Sequence, residues 1–207
     1  MNILTGFTSG LLLITLSELG DKTFFIGAIL AMRHPRRWVF AGVTAALATM
    51  TLLSVWLGQI VSLFPQHYVQ GAAVALLIGF GLKLLYDAYR MTGEEALDGE
   101  QADALEAVEQ RQQQIMSGSI RSVVMQAFSL TFIAEWGDRT QIATITLASA
   151  QNPYGVLLGA VLGHTICAAI AVACGRLIAG RISERWVTAI GGGLFICFGI
   201  LAALERP

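Results

Sequence analysis

Residues 17–23 read Ser-Glu-Leu-Gly-Asp-Lys-Thr and residues 134–140 read Ala-Glu-Trp-Gly-Asp-Arg-Thr, each copy inside an apolar run long enough to cross a bilayer. An ionisable side chain at the centre of a spanning helix costs about 2.5 to 3.5 kcal/mol, so such residues are read first as functional. Glu18 maps to Glu135 and Asp21 to Asp138 at one offset, 117 residues, the mark of an internal duplication. Four carboxylates and two cations kept in hydrocarbon imply movement of ions.

The rest of the chain fits a polytopic membrane protein of the all-α class. Of its 207 residues, 55% are hydrophobic and 13% charged, with a mean hydropathy of +0.66, which excludes an ordinary soluble domain. A net charge of −1 with scattered basic residues gives no nucleic-acid surface. Cys167, Cys174 and Cys197 all sit in apolar segments and read as reduced packing residues. Residues 1–5 carry no Lys or Arg, and no cleavage site is evident after them, so no signal peptide is expected.

Apolar runs cover residues 3–32, 38–63, 68–89, 122–150, 154–179 and 186–204, which predicts six transmembrane helices. The division expected is a first three-helix repeat over 1–91, an acidic cytoplasmic linker over 92–118 and a second repeat over 119–207. The loops after the first, third and fifth runs, counted with Arg176 near the end of the fifth, hold nine Lys or Arg, against Arg206 alone on the other side. Basic loops stay cytoplasmic, so both termini are expected outside. Three spans per half then make the two halves enter the membrane in opposite directions, an inverted repeat. Gly42 matches Gly159 and Gly58 matches Gly175 at the offset of 117, and Gly81 matches Gly199 at 118. Close helix packing is the ordinary reason for such glycines.

On continuous helices, Glu18 and Asp21 are i,i+3 and share a face, as do Glu135 and Asp138. These four acids are the candidate metal ligands, with Thr23, Thr140 and Gln141 as neutral oxygen donors. Oxygen-only coordination suits Ca²⁺, Mn²⁺ and Mg²⁺, whereas Zn²⁺ or Cu⁺ would call for His or Cys, which neither motif contains. Gly20 and Gly137 allow local unwinding that turns carbonyls toward an ion. Lys22 and Arg139 leave the four acids with a formal excess of two negative charges, which one divalent cation or two protons would neutralise. A purely structural alternative pairs Glu18 with Lys22 and Glu135 with Arg139, both i,i+4, but leaves two aspartates over.

Two copies of Glu-x-Gly-Asp-(Lys/Arg)-(Thr/Ser), one in each half of a duplicated six-span chain, resemble the Golgi and chloroplast manganese and calcium transporters and their bacterial manganese-exporting relatives. This is the calcium/cation antiporter-2 group. The resemblance covers essentially the whole chain and implies antiport of Mn²⁺ or Ca²⁺ out of the cytosol against protons. Glu18, Asp21, Glu135 and Asp138 match the family's acidic positions. The larger eukaryotic members carry amino-terminal extensions that this chain lacks, which favours a bacterial plasma (inner) membrane. The partners expected are divalent cations, protons and lipid, with no nucleic acid. Homo-oligomerisation is neither required nor opposed by the sequence.

No catalytic residue or cofactor motif is assigned, so no enzyme is expected. An intramembrane aspartyl protease would use Asp21 and Asp138 as a dyad, but it does not need two further acids and two cations. A six-span exporter of an amino acid or other small solute would need groups selective for carbon and nitrogen atoms. The acidic stretch from Glu94 to Glu109 reads as a solvated, partly helical linker. His164 and Cys167 are too few for a soft-metal site and read as packing residues. Lys83 and Asp87, i,i+4, read as a snorkelling ion pair.

Overall fold

The computed structural model describes residues 2–90, 95–112, 119–178 and 184–204, and among these every regular element is helical. The helices are α1 (Ile3–Glu18), α2 (Lys22–Arg33), α3 (Arg36–Val61), α4 (Gln66–Arg90), α5 (Glu95–Gln112), α6 (Ile120–Ala134), α7 (Arg139–Ala150), α8 (Pro153–Ile178) and α9 (Glu184–Leu204). The bounds of α2 and α3 reappear in α7 and α8 at the offset of 117. Arg36–Val61, His67–Arg90 and Pro153–Ala173 are each long and apolar enough to cross a membrane. The pair α1 and α2 reaches that length together, but bends by 65° at its break. Segments 120–134 and 188–204 are shorter apolar helices.

The first and fourth apolar runs are therefore each two helices, not one. Glycine is the physical reason. Gly20 and Gly137 both hold φ +82, a region where a Cβ would crowd the following carbonyl, and neither missing Cβ has an atom within 4 Å. The constraint there is conformational. Asp21 and Asp138 then adopt extended backbone as N-caps of α2 and α7, a position that favours aspartate over a helix interior.

Between apolar helices in lipid, close backbone approach replaces the hydrophobic drive available in water. A Cβ at Gly42 of α3 would stand 2.6 Å from the Val124 carbonyl oxygen of α6; at its repeat mate Gly159 of α8 it would collide with the Phe7 carbonyl of α1. Phe7 and Val124 are themselves 117 apart. Gly155, Gly159 and Gly163 meet Ile3 to Phe7, Phe7 to Leu11 and Leu11 to Thr15 in turn, so α8 runs parallel to α1. Gly42 meets α6 and Gly58 meets α7, so α3 runs parallel to that pair. Gly81 meets Ile196 while Gly199 meets Ile78, so α4 and α9 run antiparallel.

Helix α5 departs from the solvated linker expected of its composition. Its Ala104 and Val108, one turn apart, are fully buried in an apolar cluster with Phe24, Phe25 and Ile29 of α2. Lys22 Nζ reaches Asp103 Oδ2 at 3.4 Å and Arg33 Nη2 reaches Glu109 Oε1 at 3.5 Å. The bare acidic count hid a two-residue apolar stripe.

Candidate cation site

The breaks in the two halves bring acids together across turns rather than along a helix face. Glu18 ends α1 and Asp21 precedes α2; Glu135 caps the end of α6 and Asp138 precedes α7. The expected i,i+3 face does not form in either half, because the helix stops between the two acids. In each turn the aspartate N–H donates to the glutamate carbonyl, at 3.3 Å for Asp21 and 3.2 Å for Asp138.

Glu18 and Glu135 are buried, at 2% and 3% exposure. Each uses one oxygen in the same way: Thr23 Oγ1 donates to Glu18 Oε2 at 3.2 Å, and Thr140 Oγ1 donates to Glu135 Oε2 at 3.4 Å. The other oxygen, Oε1, has no hydrogen-bond partner in either glutamate among the described residues. Leaving a buried carboxylate oxygen unsatisfied is costly and calls for an explanation. One oxygen each of Glu18, Asp21 and Glu135 lie within 4.8 Å of one another. Two oxygens on opposite sides of a Ca²⁺ bound at 2.3–2.6 Å stand up to about 5 Å apart, so these three can share one ion.

Asp138 lies outside that group of three. Gln141 N–H donates to its Oδ1 at 2.7 Å, and Thr140 Oγ1 sits 3.1 Å and 2.9 Å from its two oxygens, so it caps α7. Gln141 closes the turn from the other side, its Oε1 accepting from Gly137 N–H at 2.7 Å. Asp21 makes no side-chain cap; instead Arg139 Nη2 crosses from the second half to its Oδ1 at 2.7 Å. Neither intramotif i,i+4 pair is among the ion pairs of the described residues, since Lys22 reaches α5 and Arg139 reaches Asp21. Three convergent carboxylates against one guanidinium keep a formal excess of two negative charges.

Among the described residues, two cavities adjoin the carboxylates. The larger, about 390 Å³, is lined by Asp21, Lys22, Asp138 and Arg139 together with Lys83 and Asp87 of α4. Lys83 and Asp87 form no ion pair among the described residues, and both line this cavity instead. The smaller cavity is a cleft lined by Glu135, Thr140, Gln141 and Thr144 of the second half, Met50, Thr51 and Ser54 of α3, and His164 of α8. Thr51, Ser54 and Thr144 escape a motif-based reading. The available signal was hydroxyls at helical spacing inside apolar runs, Thr51 to Ser54 and Thr140 to Thr144. Cys167 packs as expected, its Sγ 3.3 Å from the Thr15 carbonyl oxygen; the side chain of Cys174 lies outside the described residues.

A helical membrane protein with buried acids gathered at two broken helices, one in each repeat, belongs to the class of ion transporters. The family model described as "Divalent cation/proton antiporter GDT1" matches residues 6–92 and 123–207. The chain belongs to this family, whose members are transporters and not enzymes, with a divalent cation and the proton as substrates. It is 55% identical over 203 residues to "GDT1-like protein sll0615" of Synechocystis sp., covering 97% of each chain. It is 40% identical over 221 residues to "GDT1-like protein 5" of Arabidopsis thaliana, covering 98% of this chain and 97% of that one. The Arabidopsis "Protein PAM71-homolog, chloroplastic" is 39% identical over 208 residues, 94% of this chain and 58% of the relative. No solved structure matches.

Proposed function

We propose that the chain exports Mn²⁺, Ca²⁺ or both from the cytosol in exchange for protons, at a site made by Glu18 and Asp21 of one half and Glu135 of the other, with Asp138 beside it. The observation that carries this reading is the convergence of three carboxylates, two of them buried with an unpartnered oxygen each. The oxygen-only ligand set favours hard divalent ions. An excess of two negative charges in low dielectric is unstable unless a divalent cation or protons neutralise it, so the carrier crosses loaded with one or the other. Because ligands from both halves share the ion, movement of one half against the other opens and closes the site.

The six-span inverted plan belongs to this proposal. Repeats over 1–91 and 119–207 enter from opposite sides, the acidic linker 92–118 lies in the cytosol, and both termini lie outside a bacterial plasma membrane. Parallel α1 and α8, antiparallel α4 and α9 and the nine-to-one basic bias support it. The protein is tested in proteoliposomes supplied separately with Mn²⁺, Ca²⁺, Mg²⁺ and Zn²⁺ under an imposed pH gradient. Uphill accumulation of Mn²⁺ or Ca²⁺ that stops when the gradient is collapsed is expected. Flux set by membrane potential alone would make the protein a uniporter and end the exchange reading.

A further inference from the structure

The small cleft over Glu135 is lined by three hydroxyl groups whose protons are already spent. Thr51 Oγ1 gives its proton to the Leu47 carbonyl at 2.8 Å, Ser54 Oγ to the Met50 carbonyl at 2.7 Å, and Thr144 Oγ1 to the Thr140 carbonyl at 2.8 Å. With each proton spent on its own helix, the hydroxyl oxygens keep lone pairs for another partner. Glu135 and His164, which line the same cleft and are 3% and 5% exposed, each carry a buried side-chain atom with no hydrogen-bond partner among the described residues, Oε1 and Nδ1. Gln141, by contrast, has its side-chain carbonyl held by Gly137 N–H. About 10 Å³ is open to the centre of a water-sized sphere, roughly the space one water needs.

Glu135 and Thr140 have the polar mirrors Glu18 and Thr23, but the mirrors of the other five polar lining residues are apolar. At the offset of 117, Thr51 corresponds to Ala168, Ser54 to Ala171, Thr144 to Gly27, Gln141 to Phe24 and His164 to Leu47. Phe24, Leu47, Ala168 and Ala171 belong to one buried apolar cluster. Outside the glutamate and threonine of the repeated motif, the two sides therefore differ: polar around Glu135, apolar at the mirror positions.

We propose that this cleft is a second cation station, joined to the carboxylate site through Glu135, in which His164 supplies a nitrogen donor that favours Mn²⁺ over Ca²⁺. The inference rests on the cation site proposed above and adds to it a ligand and a selectivity. Imidazole nitrogen binds first-row transition ions and adds little for Ca²⁺, which is held by oxygen. Hydroxyl and carboxylate oxygens complete the shell for a partly dehydrated ion.

Pulsed EPR on the purified full chain loaded with Mn²⁺ reads the proposed bond directly. A ¹⁴N coupling from imidazole is expected in the wild type, retained in a His34→Asn/His67→Asn double variant and lost in His164→Leu. His164→Gln, which keeps the size and polarity of the side chain, should lose it as well. In both His164 variants the preference for Mn²⁺ over Ca²⁺ in competition flux should fall about 10-fold. Bound Mn²⁺ with oxygen ligands only, or a nitrogen signal that survives His164→Leu, overturns the station and leaves the carboxylate site standing. Binding of Ca²⁺ without Mn²⁺ also overturns the station alone, and binding of neither ion overturns both.

Discussion

The two copies of the seven-residue motif fold alike and are used differently. Both place a glycine at φ +82, both have a threonine donating to the glutamate five residues before it, and both leave that glutamate's second oxygen unpartnered. They part at the aspartate and the cation. Asp21 is turned inward to meet Glu18, Glu135 and Arg139, whereas Asp138 caps its own helix. Arg139 reaches across to the opposite half, whereas Lys22 leaves the site for Asp103 of α5. One neighbour contributes to the split. Gln141 braces the second turn through Gly137, while its counterpart Phe24 has no polar group to do so and packs with α5 instead. A repeated motif thus supplies a shared backbone, and the residue just beyond it helps decide what each copy does.

The largest effects should come from the acids and should be unequal. Glu18→Gln, Glu135→Gln and Asp21→Asn are each expected to lower divalent flux at least about 100-fold in protein that still folds, since each removes a ligand charge. Asp138→Asn should retain measurable flux, because asparagine caps a helix as well as aspartate does. Equal loss in Asp21→Asn and Asp138→Asn, in the same vesicle assay, would restore a symmetric four-acid site.

Next come the cations. Arg139→Gln leaves three carboxylates without their guanidinium, and exchange should slow by about 10-fold or more. Lys22→Gln removes only a half-exposed ion pair, worth about 0 to 1 kcal/mol, and should change exchange less than about 3-fold. Comparable losses in the two would show that Lys22 also serves the site.

Much of this was legible in the residues. The duplication, the four acids and the apolar runs follow from spacing and hydropathy, and glycine between two acids already signalled unwinding. The capping role of the aspartates was less visible, because i,i+3 spacing looks the same on a continuous helix and across a turn. The docking of α5 depends on Ala104 and Val108, two small residues among many charges. His164 reads as a packing residue in the sequence, and only the fold places it in one cleft with Thr51, Ser54 and Glu135.

The smallest difference is expected where the copies are most alike. Gly20→Ala and Gly137→Ala should each destabilise by about 1 to 2 kcal/mol, the cost of a left-handed residue with a Cβ. Thermal unfolding in detergent should show nearly equal shifts. A large shift in one alone would mean that the two turns are not equivalent in backbone.

The central claim is that one cation and the exchanged protons occupy the same carboxylates. Calorimetric titration of purified protein with Mn²⁺, in buffers of differing ionisation enthalpy, counts the protons released per ion bound. Binding requires deprotonated ligands, so affinity should weaken as pH falls, and the released protons should diminish in Glu18→Gln and Glu135→Gln. Binding that releases no protons, with an affinity independent of pH, would contradict the account.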